Sequence, residues 1–284
     1  MTTGPVRRPS VAGQFYQGAA DALRREIEGC FLHRLGPGSL PQVDEAGPRR
    51  TVGLACPHAG YFFSGAPAAK GYHALAADGR PKHIVVIGPS HRAWGTVAVT
   101  QTSGAWRTPL GDVPIDTDLA QAIVSASDAV ADEASALSDE HSLEVQVPFL
   151  QYVYGESLTF VPVMMFEQSA ERAAAVGRAL AQALEGLDAV IVASTDMTHY
   201  MSAEEAKRRD QTLIDRMLEL DAEGLCERAS RRDMSMCGYG PVGAMLTAAR
   251  ILGATGAEVL AYSTSGDVQR MADVVAYLSL AVTR

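Results

Sequence analysis

Short apolar runs rich in β-branched residues alternate with helical patterns along most of this chain. Four to eight such residues between turn signals are typical of a buried strand, and apolar positions that repeat every three or four residues are typical of an amphipathic helix. The apolar runs predict strands at 51–56, 83–87, 96–100, 158–165, 189–194, 259–264 and 274–282. The helical patterns predict helices at 64–76, 116–126, 142–154, 169–185, 203–220 and 241–252.

This alternation of strands and helices predicts an α/β fold. Because the strands are apolar almost throughout, we expect a sheet that helices cover on both faces. We therefore predict a single αβα domain over residues 1–284, with a mixed, largely buried central sheet that is partly parallel and has antiparallel strands toward its end. Pro148 should kink or interrupt the helix at 142–154, and Ser169 should cap the helix that follows it.

The composition narrows the classes of partner. The 284 residues include 24 basic and 33 acidic ones, for a net charge of −9, which argues against a nucleic acid partner. No stretch approaches the roughly 18 apolar residues of a membrane span, and residues 1–21 lack the apolar core of a secretory signal. The four cysteines form no Cys-x-x-Cys pair, which favours a reducing, cytoplasmic location and excludes a zinc ribbon.

Three histidines follow three predicted strands at the point where each strand ends. His58 follows the strand at 51–56, His91 follows the strand at 83–87, and His199 follows the strand at 189–194. Ligands of open α/β sheets bind outside the carboxyl ends of the strands, so these side chains should converge if their strands are neighbours. Asp196 precedes His199 by three positions, and His141 is a fourth candidate just ahead of the helix at 142–154.

Cys237 lies shortly before the predicted helix at 241–252. A helix N-terminus lowers the pKa of a nearby thiol, so we expect Cys237 to be a good ligand or nucleophile. Imidazoles and a thiolate suit iron, copper or zinc, with positions left open for a substrate. The same residue types suit a metal-free reaction in which Cys237 is the nucleophile, a histidine such as His199 activates it, and Asp196 orients that histidine. The local sequence leaves both chemistries open.

Six short motifs resemble those of the Memo family, whose prokaryotic members are called AmmeMemoRadiSam system protein B. They occur in the family's order and together span nearly the whole chain. They read RPSVAGQFY at 8–16, PHAGY at 57–61 with Ser64 and Gly65, GPSH at 88–91, EHSLEVQ at 140–146, STDMTH at 194–199 and MCG at 236–238.

The resemblance implies a fold like that of the class III extradiol dioxygenases, which hold non-haem Fe(II) with two histidines and a carboxylate. It implies that His58 and His91 are the metal-binding histidines and that Cys237 takes the place of the carboxylate. Fe(II) is then the expected metal, with copper or zinc as alternatives, because a thiolate is a softer ligand than a carboxylate.

The resemblance also implies roles for the remaining candidates. His199 matches the catalytic histidine and Asp196 its companion in the pocket, and we group His141 with these catalytic residues. Tyr61 and Tyr200 follow two of the motifs and are candidates for lining the substrate pocket. The predicted function is a metal-dependent, dioxygenase-like oxidoreductase that acts on a small molecule. The alternative is a non-enzymatic interaction protein whose cleft binds a peptide, or an AMMECR-type or radical SAM partner protein.

Overall fold

The computed structural model describes residues 4–92, 94, 95 and 97–284, and twelve strands lie within them. Nine strands form a central sheet, and three form a small second sheet. The strands are β1 (Val6–Arg7), β2 (Thr51–Cys56), β3 (His83–Pro89), β4 (Ala98–Thr100), β5 (Ala105–Thr108), β6 (Gly111–Pro114), β7 (Val130–Asp132), β8 (Val161–Met165), β9 (Ala189–Ser194), β10 (His199–Met201), β11 (Gly256–Thr264) and β12 (Val274–Thr283).

The described residues also form nine α-helices and three short 3-10 turns. The helices are α1 (Ala20–Leu32), α2 (Tyr61–Asp78), α3 (Thr117–Ala126), α4 (Val147–Tyr154), α5 (Ala170–Leu184), α6 (Ala203–Leu218), α7 (Ala222–Ala229), α8 (Tyr239–Ile251) and α9 (Ser265–Val268). The 3-10 turns are Ala134–Leu137, Glu144–Gln146 and Gly155–Ser157.

The central sheet is mixed, and its strand order is β10-β12-β2-β9-β3-β8-β4-β7, with β11 also paired to β12. Strands β2, β9, β3 and β8 run parallel to one another. Strand β12 is antiparallel to both β2 and β11, and β4 is antiparallel to β8. The predicted fold class is therefore confirmed, including the antiparallel strands toward the end of the chain.

Helices cover both faces of this sheet, as the alternation of side chains along β2 shows. Leu54 and Cys56 point to one face, where they lie against Gly71 of α2. Gly53 faces the other way, and a Cβ atom there would come within 2.8 Å of the sulfur of Met245 in α8. Helices α1 and α4 pack beside α2, whereas α5 and α7 pack beside α8.

The structure confirms the predicted cap of α5 and differs from the sequence patterns in two places. Ser169 caps α5 as predicted, because its side chain accepts a hydrogen bond from the amide of Arg172. Pro148 does not kink a long helix. A 3-10 turn ends at Gln146, and Pro148 lies in the first turn of α4, where an N–H group would have no partner within the helix. The hairpin of β5 and β6 was not predicted, since its strands are only four residues each.

The topology places three of the motif loops together. Strand β9 lies between β2 and β3 and is parallel to both, so the carboxyl ends of all three strands meet at one edge of the sheet. Within the described ranges, none of the helices is long and apolar enough to cross a membrane.

Candidate functional site

Three histidines form a compact cluster at this edge of the sheet. One ring nitrogen from each of His58, His91 and His141 lies within 4.8 Å of the other two. The ring centroids of His58 and His91 are 5.1 Å apart, and those of His91 and His141 are 4.5 Å apart. Three imidazoles this close together are a potential metal site.

The hydrogen bonds around His58 determine which of its nitrogens carries the proton. The hydroxyl of Ser194 donates to the carbonyl of Ser142 at 2.6 Å and accepts from the side chain of Gln146 at 2.8 Å. Nδ1 of His58 lies 2.9 Å from the same hydroxyl oxygen. Because that hydroxyl has already donated its only proton, Nδ1 of His58 must be the donor. Nε2 of His58 is then unprotonated and available as a ligand.

Glu140 orients His91 through two contacts. Its carboxylate accepts a hydrogen bond from the amide nitrogen of His91 at 2.6 Å and from Nδ1 of His91 at 3.0 Å. Burial alone would raise the pKa of Glu140, but the hydrogen bond and charge of His91 and the amide of Ser142 hold that pKa at about 2. An ionised carboxylate only accepts, so Nδ1 of His91 is a donor and its Nε2 is free to bind.

His141 is held beside the same carboxylate. Its Nδ1 lies 3.4 Å from Oε1 of Glu140, and the ring of Phe15 packs edge-on against it with centroids 4.9 Å apart. Burial lowers the pKa of His141 to about 4, and the neighbouring His91 adds to this effect. Burial also lowers the pKa of His58, with contributions from His141 and His91. These two imidazoles are therefore neutral near pH 7, as a metal ligand must be.

Cys237 lies on the His58 side of the cluster. Its Sγ atom is 3.1 Å from Nε2 of His58 and accepts a hydrogen bond from the amide of Asp196 at 3.1 Å. The turn that carries Cys237 is held by Gln168, whose side chain donates to the carbonyl of Cys237 at 2.8 Å. The next residue, Gly238, must be a glycine, because a Cβ atom there would lie 2.3 Å from the carbonyl of Ser194.

The predicted lowering of the Cys237 pKa by a helix N-terminus is wrong for the metal-free protein. Helix α8 does begin two residues later, at Tyr239. However, burial raises the pKa of this thiol, and the carboxylate of Asp196 raises it further. With the pKa of His58 lowered as well, these shifts disfavour the thiolate that a cysteine nucleophile requires.

His199 and Asp196 border the cluster. Nδ1 of His199 lies 2.8 Å from the carbonyl of Met197 and 2.9 Å from the carbonyl of Ser235, so it donates and leaves Nε2 as the exchangeable nitrogen. The carboxylate of Asp196 accepts from the amide of His58 at 2.8 Å. Burial raises the pKa of Asp196 to about 6.

The two candidate pocket tyrosines occupy different environments. Tyr61 is buried, and its hydroxyl donates to the carbonyl of Val145 at 2.6 Å. Tyr200 is 79% exposed, and its ring lies 5.7 Å from that of His199. Sequence reasoning did not single out Glu140 or Ser194, although both lie within the quoted motifs. A signal was available for Glu140, because the second ring nitrogen of a metal-binding histidine commonly donates to a carboxylate and Glu140 adjoins the candidate His141 in the sequence.

The family model and the related sequences agree on one family, and a solved structure shares the fold. Residues 7–281 match the family described as Memo-like protein. A MEMO1 family protein of Methanopyrus kandleri is 46% identical over 98% of this chain and 99% of its own length. One from Methanothermobacter thermautotrophicus is 48% identical over 93% of this chain and 95% of its own. The crystal structure of an uncharacterized protein from Escherichia coli K12 shares the fold, with a TM-score of 0.52 and 16% identity over 80% of this chain and 99% of its own.

Proposed function

The chain belongs to the family of Memo-like proteins, and from that premise we propose that it is a metal-dependent oxidoreductase. The proposed ligands are His58, His91 and Cys237, the set that the family resemblance implies. We add His141, which the sequence grouped with the catalytic residues, because one of its ring nitrogens lies within 4.8 Å of ring nitrogens of His58 and His91. The observation that carries this proposal is the orientation of the rings. Nδ1 of His58 and Nδ1 of His91 each donate to an acceptor of the protein, which leaves Nε2 of both rings for a metal ion.

The donor set fits a transition metal. Neutral imidazoles are the commonest metal ligands in proteins, and a second group that holds the opposite ring nitrogen is characteristic of metal-binding histidines. Ser194 serves this purpose for His58, and Glu140 serves it for His91. The carboxylate of Glu140, ionised at pH 7, also contributes a negative charge that offsets the charge of a bound cation.

The position of Cys237 is compatible with a ligand of the same ion. Bonds of about 2.3 Å to sulfur and about 2.0 Å to nitrogen bring two neighbouring ligand atoms to roughly 3.1–3.5 Å from each other. The observed distance from Sγ of Cys237 to Nε2 of His58 is 3.1 Å. A cation between these atoms would also favour the thiolate, which burial disfavours in the metal-free protein.

Iron is the metal we propose, with copper or zinc as the alternatives. A bound iron or copper ion would supply redox chemistry and an open coordination position for a small-molecule substrate. His199 is the group that moves a proton, at Nε2, because its Nδ1 is bound to two carbonyls. Those carbonyls hold the ring so that it enters the reaction in one orientation.

The proposed partner proteins rest on the family alone. An AMMECR-type protein and a radical SAM protein stay predicted partners. All four cysteines, Cys30, Cys56, Cys226 and Cys237, are free thiols, which agrees with the proposed reducing, cytoplasmic location.

Oxygen uptake by the iron-loaded protein tests the proposed activity. We expect consumption of oxygen with at least one member of a panel of phenolic substrates, and a loss of about 10²- to 10⁴-fold in rate in His199→Gln with the metal content unchanged. His73→Gln is the matched control, because His73 lies in α2 and contacts Ser39 rather than the cluster. Oxygen uptake that His199→Gln leaves unchanged, or no uptake with any phenol, would contradict the proposed reaction.

A further inference from the structure

The N-terminal segment lies across two of the loops that carry the candidate ligands. The carbonyl of Phe15 accepts a hydrogen bond at 2.7 Å from the amide of Tyr61, which ends the loop of His58. The ring of Phe15 packs against His141. This segment contains the first family motif, at 8–16, which the proposed ligand set leaves without a role.

Arg7 connects this segment to the loop of Glu140 and His141. Its side chain is almost fully buried and makes three strong hydrogen bonds. Nε donates to the carbonyl of Leu137 at 2.8 Å, one Nη donates to the carbonyl of Glu140 at 2.6 Å, and the other donates to the carboxylate of Glu144 at 2.7 Å. The guanidinium group also lies 4.1 Å from the ring centroid of Trp106, a favourable cation–π contact.

Glu144 connects the same loop to the rest of the segment. In addition to Arg7, its carboxylate accepts from the amide and hydroxyl of Ser10, both at 2.8 Å. It also accepts from the amide of Val11 at 3.0 Å and the hydroxyl of Tyr16 at 2.6 Å. The buried pair of Arg7 and Glu144 thus holds the loop on both sides of His141, at the carbonyl of Glu140 and at the side chain of Glu144.

We propose that Arg7 is a positioning residue for the metal site, and that it acts by holding Glu140 and His141 in place. The inference rests on the proposed metal centre. Glu140 contacts the rings of both His91 and His141, so a shift of its main chain would disturb two ligands at once. Arg7 holds that main chain directly, through the carbonyl of Glu140.

A lysine cannot replace Arg7 in this role. The three acceptors of Arg7 belong to residues 137, 140 and 144, and the planar guanidinium reaches them with separate nitrogens. An ammonium group presents its donors from a single nitrogen atom, so it keeps the charge but cannot span all three acceptors. The variant Arg7→Lys therefore tests position rather than charge.

Titration with Co²⁺, followed by its visible absorption, tests the inference. We expect Arg7→Lys to weaken Co²⁺ binding by about tenfold or more, as is typical when the support of a ligand is lost. We also expect the spectrum of loaded Arg7→Lys to shift toward that of His141→Ala, because both variants disturb the same ligand. Wild-type affinity together with a wild-type spectrum in Arg7→Lys would overturn the inference.

Arg49→Lys is the matched control. Arg49 forms a similar pair with Asp78 at 2.8 Å and a second contact with Asp188 at 3.0 Å, but near the start of β2, at the opposite end from His58. We expect this variant to lose thermal stability while its Co²⁺ affinity and spectrum stay those of the wild type. An equal loss of affinity in Arg49→Lys would mean that destabilisation alone explains the effect of Arg7→Lys, and the inference would fail.

Tyr16→Phe provides a second, milder variant if Arg7→Lys does not fold. It removes only the hydroxyl that donates to Glu144, and the ring keeps its contact with Tyr61, at a centroid distance of 5.5 Å. We expect a smaller loss of Co²⁺ affinity with the same direction of spectral shift, and wild-type behaviour would overturn the inference. A wild-type protein that binds no Co²⁺ would instead contradict the proposed metal centre itself, and the inference with it.

Discussion

The Sγ atom of Cys237 lies 3.1 Å from Nε2 of His58, although the two residues are 179 positions apart in the chain. Both groups are neutral in the metal-free protein, since burial raises the pKa of the thiol and lowers that of the imidazole. Both pKa shifts disfavour the thiolate–imidazolium pair that nucleophilic catalysis without a metal would use. A shared cation would stabilise the thiolate and use the lone pair of His58, which links this contact to the proposed metal centre.

Replacing Glu140 should weaken the metal site without removing a ligand. In Glu140→Gln the amide NH₂ group replaces one of two oxygens that accept from N–H groups of His91 and Ser142. We expect metal affinity to fall by about 10- to 100-fold in a competition titration with Zn²⁺. Glu45→Gln is the control, because Glu45 pairs with Arg80 at the surface, and this variant should bind Zn²⁺ like the wild type. Equal Zn²⁺ affinities of the wild type and both variants would show that Glu140 does not support the metal site.

Glu144 should make the stability of the protein depend on pH. Burial would raise its pKa, but the charge of Arg7 and the hydrogen bond of Tyr16 lower it below the ordinary value of 4.5. The ionised form is therefore favoured by folding, so this stabilisation is present above pH 4.5 and is lost as the pH falls through the lowered value. We expect Glu144→Gln to reduce the free energy of unfolding by roughly 3 kcal/mol at pH 7.

Urea denaturation between pH 3 and pH 7 measures this effect. The difference between the wild type and Glu144→Gln should shrink as the pH falls, because the wild-type carboxyl also becomes neutral. The exposed variant Glu45→Gln should stay within about 0.5 kcal/mol of the wild type. A difference for Glu144→Gln that does not change with pH would show that its charge does not stabilise the fold.

Asp210 should hold the loop of His199 without affecting the metal. Its fully buried carboxylate accepts from the amide of Thr198 at 3.1 Å, from the hydroxyl of Thr198 at 2.7 Å and from the hydroxyl of Tyr262 at 2.8 Å. In Asp210→Asn one oxygen becomes an NH₂ group that faces donors, at a cost of about 1–3 kcal/mol. We expect faster amide exchange over residues 196–201 and an unchanged metal content. The control Asp215→Asn changes an exposed residue of the same helix, and its amides should exchange at the wild-type rate. Wild-type amide exchange in Asp210→Asn would contradict the expected role of Asp210.

A matched pair of glycine substitutions tests the packing of the Cys237 turn. In Gly238→Ala the new Cβ atom would lie 2.3 Å from the carbonyl of Ser194 and 2.7 Å from Thr195, so the turn must move. We expect a loss of about 1–3 kcal/mol in the free energy of unfolding and a loss of bound metal. In Gly29→Ala, within α1, nothing lies within 4 Å of the new atom, and a gain of about 0.5–1 kcal/mol is expected. Thermal unfolding and metal analysis of both variants test this packing. A Gly238→Ala protein that keeps its metal would contradict the expected movement of the turn.

The features of the fold that could be predicted are those with a local signal. Strands β2 and β9 are uniformly apolar runs, and their predicted boundaries are the observed ones. The rule that parallel strands place their carboxyl ends at one edge then predicts that His58 and His91 approach each other, and the structure shows their rings 5.1 Å apart. The hairpin of β5 and β6 has no such signal, because four-residue strands are too short to show a period.

The supporting contacts of the site could not be predicted, because they join distant parts of the chain. Arg7 reaches Glu144 across 137 positions, and no local pattern indicates that pairing. The pKa of Cys237 illustrates the same limit. Its place near α8 suggested a lowered pKa, but burial and the carboxylate of Asp196 raise the pKa, and only the tertiary structure brings these causes together.

Metal content is the most direct test of the central claim, that the histidine cluster holds a metal ion. Protein purified anaerobically without chelators would be analysed by plasma mass spectrometry as the wild type, as His58→Ala and as the control His73→Ala. We predict about one equivalent of iron or copper in the wild type and in His73→Ala, and none in His58→Ala, because His58 contacts His91, His141 and Cys237. Equal metal in all three proteins, or none in the wild type even after reconstitution, would contradict the claim.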